Sequence, residues 1–90
     1  MKQQKNMFFV TFTIVDGGAE HSLYKVVFAS TEGKATAKAL DYAKDFFGNC
    51  MVRDEENAHL FWDEDGTKTI ELEIVEKTTV KGLVKRLLIE

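Results

Sequence analysis

The sequence predicts an α+β fold: a two-layer sandwich in which one antiparallel sheet carries helices packed on one face, in the element order β-β-α-β-β-β-α. Three observations carry this. Residues 31–48, TEGKATAKALDYAKDFFG, repeat with period 3.6: Ala35, Ala39 and Ala43 share one side, flanked by Leu40, Tyr42, Phe46 and Phe47, while Lys34, Lys38, Asp41 and Asp45 form a narrow polar stripe. Residues 7–15 and 69–75 instead alternate with period two. Between such segments stand Asp16-Gly17-Gly18 and Asp65-Gly66, residues that tight turns require.

Each element has its own reason. Residues 1–6, MKQQKN, are polar and aperiodic, and are expected to be a disordered tail before a single domain of residues 7–90. In residues 7–15, Phe8, Val10, Phe12 and Ile14 share one face, and Phe9, Thr11 and Thr13 the other. Residues 22–29 form a second strand, with Tyr24, Val26 and Phe28 opposite Leu23 and Val27, so the first two strands make a hairpin. Ser30 or Thr31 caps the helix, and Gly48 ends it in the left-handed conformation. The alanine stripe lets the helix axis approach a sheet closely.

Residues 50–53 are expected as a short third strand, 54–57 as a polar turn, 58–62 as a fourth strand and 63–67 as a hairpin turn. In residues 69–75, Ile70, Leu72 and Ile74 oppose Glu71 and Glu73, as in a strand with one wet face. If that strand lies at an edge, its charges protect it, and a homodimer could form there. A C-terminal helix is expected from about Thr79, with Val80, Leu83, Val84, Leu87 and Leu88 on one side and Lys81 and Lys85 on the other. A hairpin turning at Lys81-Gly82 is the rival.

Ninety residues make one domain with a modest core. No apolar run reaches the ~20 residues a membrane helix needs. The basic start before an apolar stretch does not read as a signal peptide, because Thr11 and Thr13 interrupt it and no small-residue cleavage site follows. One cysteine forbids an internal disulfide and points to a cytoplasmic protein. The net charge of −3 is uneven: residues 54–76 hold nine acids and a single lysine, a local charge of −8, while eleven bases and six acids leave +5 elsewhere.

Tests for chemistry are mostly negative. Cys50 with His21 or His59 would need a depressed thiol pKa and a neighbouring base, and the local sequence provides neither; Cys50 reads as a small buried hydrophobe. His21, Cys50 and His59 have no metal-ligand spacing. Asp63-Glu64-Asp65-Gly66 places its glycine fourth, not sixth as an EF-hand loop does, and Ile74 stands where the twelfth-position glutamate belongs. Gly17-Gly18 precedes a strand rather than a helix, so it is no phosphate loop. We therefore expect no enzyme, no cofactor and no metal.

The candidate partner-binding residues are Asp54, Glu55, Glu56, Trp62, Asp63, Glu64 and Asp65, two acid clusters bracketing a short strand, with Trp62 as an anchor for a protein partner. Strand rise puts the clusters roughly 15–20 Å apart. The alternative partner is nucleic acid, bound through Lys34, Lys38, Lys81, Lys85 and Arg86.

Residues 8–48, FFVTFTIVDGGAEHSLYKVVFASTEGKATAKALDYAKDFFG, followed by an acidic stretch and TIELEIVEKTTVKGLVKRLL, resemble the small accessory proteins of bacteriophages, prophages and other mobile elements. The likeness lies in the hairpin, the passage from strand through Ala-Ser-Thr into an Ala-rich helix, and the strand-to-helix ending. It implies a bacterial or phage cytoplasmic origin and a binding role, among them inhibition of a host defence nuclease by nucleic-acid mimicry.

Overall fold

The computed structural model describes residues 5–48, 51–63 and 65–87, with Arg86 and Leu87 through their backbone alone. The elements are β1 (Asn6–Asp16), β2 (Ala19–Ala29), α1 (Glu32–Lys44), β3 (Val52–Arg53), β4 (Leu60–Trp62), β5 (Lys68–Thr78) and α2 (Val80–Leu87). The five strands form one sheet in the order β2-β1-β5-β4-β3, every neighbouring pair antiparallel.

Each turn follows from its residues. Gly17 and Gly18 both take positive φ, 59° and 90°, so the β1–β2 hairpin closes on two residues, Asp16 opposite Ala19. Thr31 is the N-cap of α1, its hydroxyl accepting from the Lys34 N–H at 3.2 Å. Thr79 does the same for α2, accepting from the Gly82 N–H at 3.0 Å. A Cβ on Gly82 would stand 3.3 Å from the capping Thr79 hydroxyl and 3.0 Å from that of Thr78, so the glycine that weakens this helix also makes room for its cap.

The core lies between α1 and one face of the sheet. Val10, Phe12, Ile14, Ile70, Leu72, Phe61 and Met51 pack on Ala39 and Ala43, and Phe8 and Ala29 pack on Ala35. Pleating then assigns every strand residue to a face. Even residues of β1 point to α1; Met7, Phe9, Thr11, Thr13 and Val15 point away. The register carries Tyr24, Val26 and Phe28 of β2, Ile74 of β5, Leu60 and Trp62 of β4 and Val52 of β3 to that second face. A bulge at Glu73, between Leu72 and Ile74 on the β1 register, keeps Leu72 and Val75 both on the core side.

Three expectations are corrected. The helices do not share a face: α1 covers the core side, whereas Leu83 of α2 borders a cleft with Phe9, Tyr24 and Val26 on the second face. Phe9, only 5 % exposed and stacked edge-on to Tyr24 at 5.6 Å, explains this, because it is a large apolar ring that needs cover on the side α1 cannot reach. Asn6 belongs to β1 rather than to a tail, its side-chain amide donating to the Ser30 carbonyl at 3.3 Å; residues 1–4 lie outside the described residues. Residues 69–71 are paired on both sides, with β1 and β4, so the long outer edge belongs to β2 instead.

Candidate functional site

The acidic clusters sit at opposite ends of β4, in the loop before it and the turn after it. Asp54 is a structural residue of its loop. Its Oδ2 accepts from the N–H groups of Glu56 (3.1 Å) and Asn57 (2.9 Å), and Asn57 in turn donates from Nδ2 to Glu71 Oε2 at 2.8 Å. Asp63 does the same work in the β4–β5 turn. Its Oδ1 accepts from Thr67 and Lys68 N–H at 2.9 and 3.1 Å, and its Oδ2 from the Thr67 hydroxyl at 3.2 Å. Burial pushes the Asp63 carboxyl up, but the hydrogen bonds from Lys68 and Thr67 and the Lys68 charge outweigh it and hold the group below the ordinary carboxylate value. Two of the seven candidate residues are thus committed to backbone donors. Glu55, Glu56 and Asp65 remain exposed; Glu64 lies outside the described residues.

Trp62 stands apart from the acids beside it in one respect. It projects to the second sheet face, opposite Thr69 on one side and Val52 on the other, and is half-buried there. It shares that face with other apolar side chains that the sequence did not single out. Among the described residues eight large apolar side chains are exposed, between 38 % and 69 %: Tyr24, Val26, Phe28, Tyr42, Val52, Ile74, Val80 and Val84. All except Tyr42 lie on the second face or on α2. A signal was present in β2, where Leu23 and Val27 oppose Tyr24, Val26 and Phe28, so that both faces are apolar.

The catalytic and metal possibilities are spread across the sheet. His21 is on β2 and His59 beside β4, with two strands between them, about 14 Å at ordinary strand spacing; Cys50 lies outside the described residues. Among the described residues no three His, Cys, Asp or Glu side chains gather as metal ligands do, and no helix is long and apolar enough to cross a membrane. The two basic sets are also divided. Lys34 and Lys38 are on α1, Lys81 and Lys85 on α2, and these helices flank opposite faces; the Arg86 side chain is outside what is described. Lys38 moreover donates its ammonium to the Phe28 carbonyl at 2.6 Å.

Comparison with protein-family models, curated proteins and solved structures finds no match for the chain.

Proposed function

We propose that this chain is a non-catalytic, cytoplasmic protein-binding domain whose contact surface is the second face of its sheet. The observation that supports this is the concentration of exposed apolar side chains there: Tyr24, Val26 and Phe28 on β2, Ile74 on β5, Val52 beside Trp62 at the far edge, and Val80 and Val84 on α2. Exposed apolar side chains concentrated on one face of a small domain are a feature of interaction sites. Exposed acids border it, with Glu20 and Glu76 on the same face and Glu55, Glu56 and Asp65 in the flanking turns. An apolar centre inside a charged rim is ordinary interface anatomy. The partner it fits is a protein with an apolar patch set among lysines and arginines.

The acids act here as rim rather than as centre, since Asp54 and Asp63 spend their lone pairs on turn N–H groups. The same commitment argues against acid–base chemistry, which needs a carboxyl free to exchange its proton near neutral pH.

Photo-crosslinking in cells tests the reading. A benzoylphenylalanine at Ile74 or Val84 should yield an adduct with a distinct protein, and one at Ala37, exposed on α1, should not. Adducts with a distinct protein from position 37 alone, or none from 74 and 84, would overturn it.

A further inference from the structure

We propose that two copies of this chain pair through their β2 edges, giving a continuous ten-stranded antiparallel sheet with the two α1 helices side by side on one face. This interface is the outer edge of β2 and the flank of α1; Tyr24, Val26 and Phe28 belong both to it and to the partner-binding face proposed above, which pairing would extend across the two copies.

Backbone direction identifies the free edge. Leu72 N–H donates to His59 O and Asp63 N–H to Lys68 O, so between residues 68 and 72 the even residues of β5 point to β4. Alternation then aims Thr13 and Val15 of β1 at β5, and Phe12 and Ile14 at β2. In β2 it aims Leu23 inward and leaves Ser22, Tyr24, Val26 and Phe28 with their N–H and C=O groups outward. The Lys38 ammonium on the Phe28 carbonyl agrees with that assignment. Natural sheets usually blunt such an edge with proline, a bulge, a short strand or charged side chains, and here Lys38 reaches one outward carbonyl, that of Phe28. This edge is eleven residues long, its register with β1 is unbroken, and the chain contains no proline.

Charge names the occupant as a second copy. The polar stripe of α1 reads Lys34, Lys38, Asp41, Asp45: two positive, then two negative. It lies on the β2 side of the helix, because Lys38 reaches Phe28 and Tyr42 stacks under the Lys25 ammonium at 5.5 Å. A two-fold axis perpendicular to the sheet sets the helices antiparallel, so each Lys38 meets the other copy's Asp41, and each Lys34 its Asp45. The centre of that stripe, between residues 38 and 41, stands level with β2 between Phe28 and Lys25. An axis through Val26 satisfies helix and strand together. Val26 then pairs with its own counterpart, and Tyr24 lies opposite Phe28 of the other copy, an aromatic cross-strand pair on the second face. No like charges fall opposite one another along the strand.

Sedimentation equilibrium on the purified chain tests this. The wild type should approach twice its 10.2 kDa at micromolar concentration, more weakly as salt rises. Val26→Pro should be a folded monomer, since proline is tolerated where an edge N–H faces solvent but removes the donor the ladder needs. Lys38→Glu should weaken the dimer by about tenfold or more, a few favourable contacts having become repulsive. Adding Asp41→Lys to Lys38→Glu should restore it. A wild type that stays monomeric, a Val26→Pro chain that dimerises as tightly as wild type, or a Lys38→Glu defect that Asp41→Lys does not repair would each overturn the proposal. None of these results touches the crosslinking outcome at Ile74 and Val84.

Discussion

The two faces of the sheet are built from the same alternating strands yet end in opposite conditions. On the α1 side Val10, Phe12 and Ile70 are fully buried, and the three buried alanines of the helix pack against that face. On the other side Phe9 is the one buried residue among those described, Tyr24, Val26, Phe28 and Ile74 face solvent, and α2 is a short helix whose Val80 and Val84 are exposed as well. Aliphatic and aromatic residues occur on both sides, so composition does not separate them. What separates them is cover: a thirteen-residue helix over one face and an eight-residue helix over the other. One face holds the fold together, and the other leaves apolar side chains exposed.

Phe12→Ala should give the largest contrast. Removing this ring from the α1 side should cost about 3–5 kcal/mol, enough to unfold a domain of this size in large part. Ile74→Ala on the second face should cost about 0.5 kcal/mol or less. Urea denaturation followed by circular dichroism measures both, and equal losses would erase the distinction between the faces.

Ala39→Leu probes how closely α1 approaches. The added methylenes have nowhere to go against Val10 and Phe12, and the change should cost about 1–3 kcal/mol. Val84→Leu on α2 should shift the midpoint by no more than a few tenths of a kcal/mol. If Ala39→Leu is neutral, α1 does not rest on the sheet as described.

The acid turns at the rim should show smaller effects. Asp54→Ala removes the acceptor for two backbone N–H groups and should cost about 1–2 kcal/mol. Asp63 adds a pH dependence. Its folded pKa lies below the unfolded one, so its contribution is complete above the unfolded value and disappears as pH falls through the folded value. The difference in melting temperature between wild type and Asp63→Asn should therefore shrink below about pH 4. Melting curves that stay parallel down to pH 2 would show that Asp63 carries no such linkage.

Much of this was legible in the residues. Gly17-Gly18, Thr31, the alanines of α1 and Asp65-Gly66 each serve the purpose their chemistry suggested. The pattern of 69–75 marked a strand but hid the bulge at Glu73, because alternation within one strand carries no information about the register of its neighbour. The candidate site was legible only as charge. That Asp54 and Asp63 would fold back on their own turns is a local Asx preference that a count of acids does not express. Whether Trp62 would be exposed or buried was open in the sequence; it is half-buried on the second face between Val52 of β3 and Thr69 of β5, a placement that strand pairing sets and local pattern does not express.

The sequence alone determined the kinds of element and most of their limits, because period, capping and turn chemistry act over a few residues. Strand order, the side each helix takes and the edge left open were decided by tertiary structure. Those depend on which apolar surfaces find one another across the chain, and on α1 and its three alanines covering one face while leaving the other face and the β2 edge to a shorter helix and to solvent.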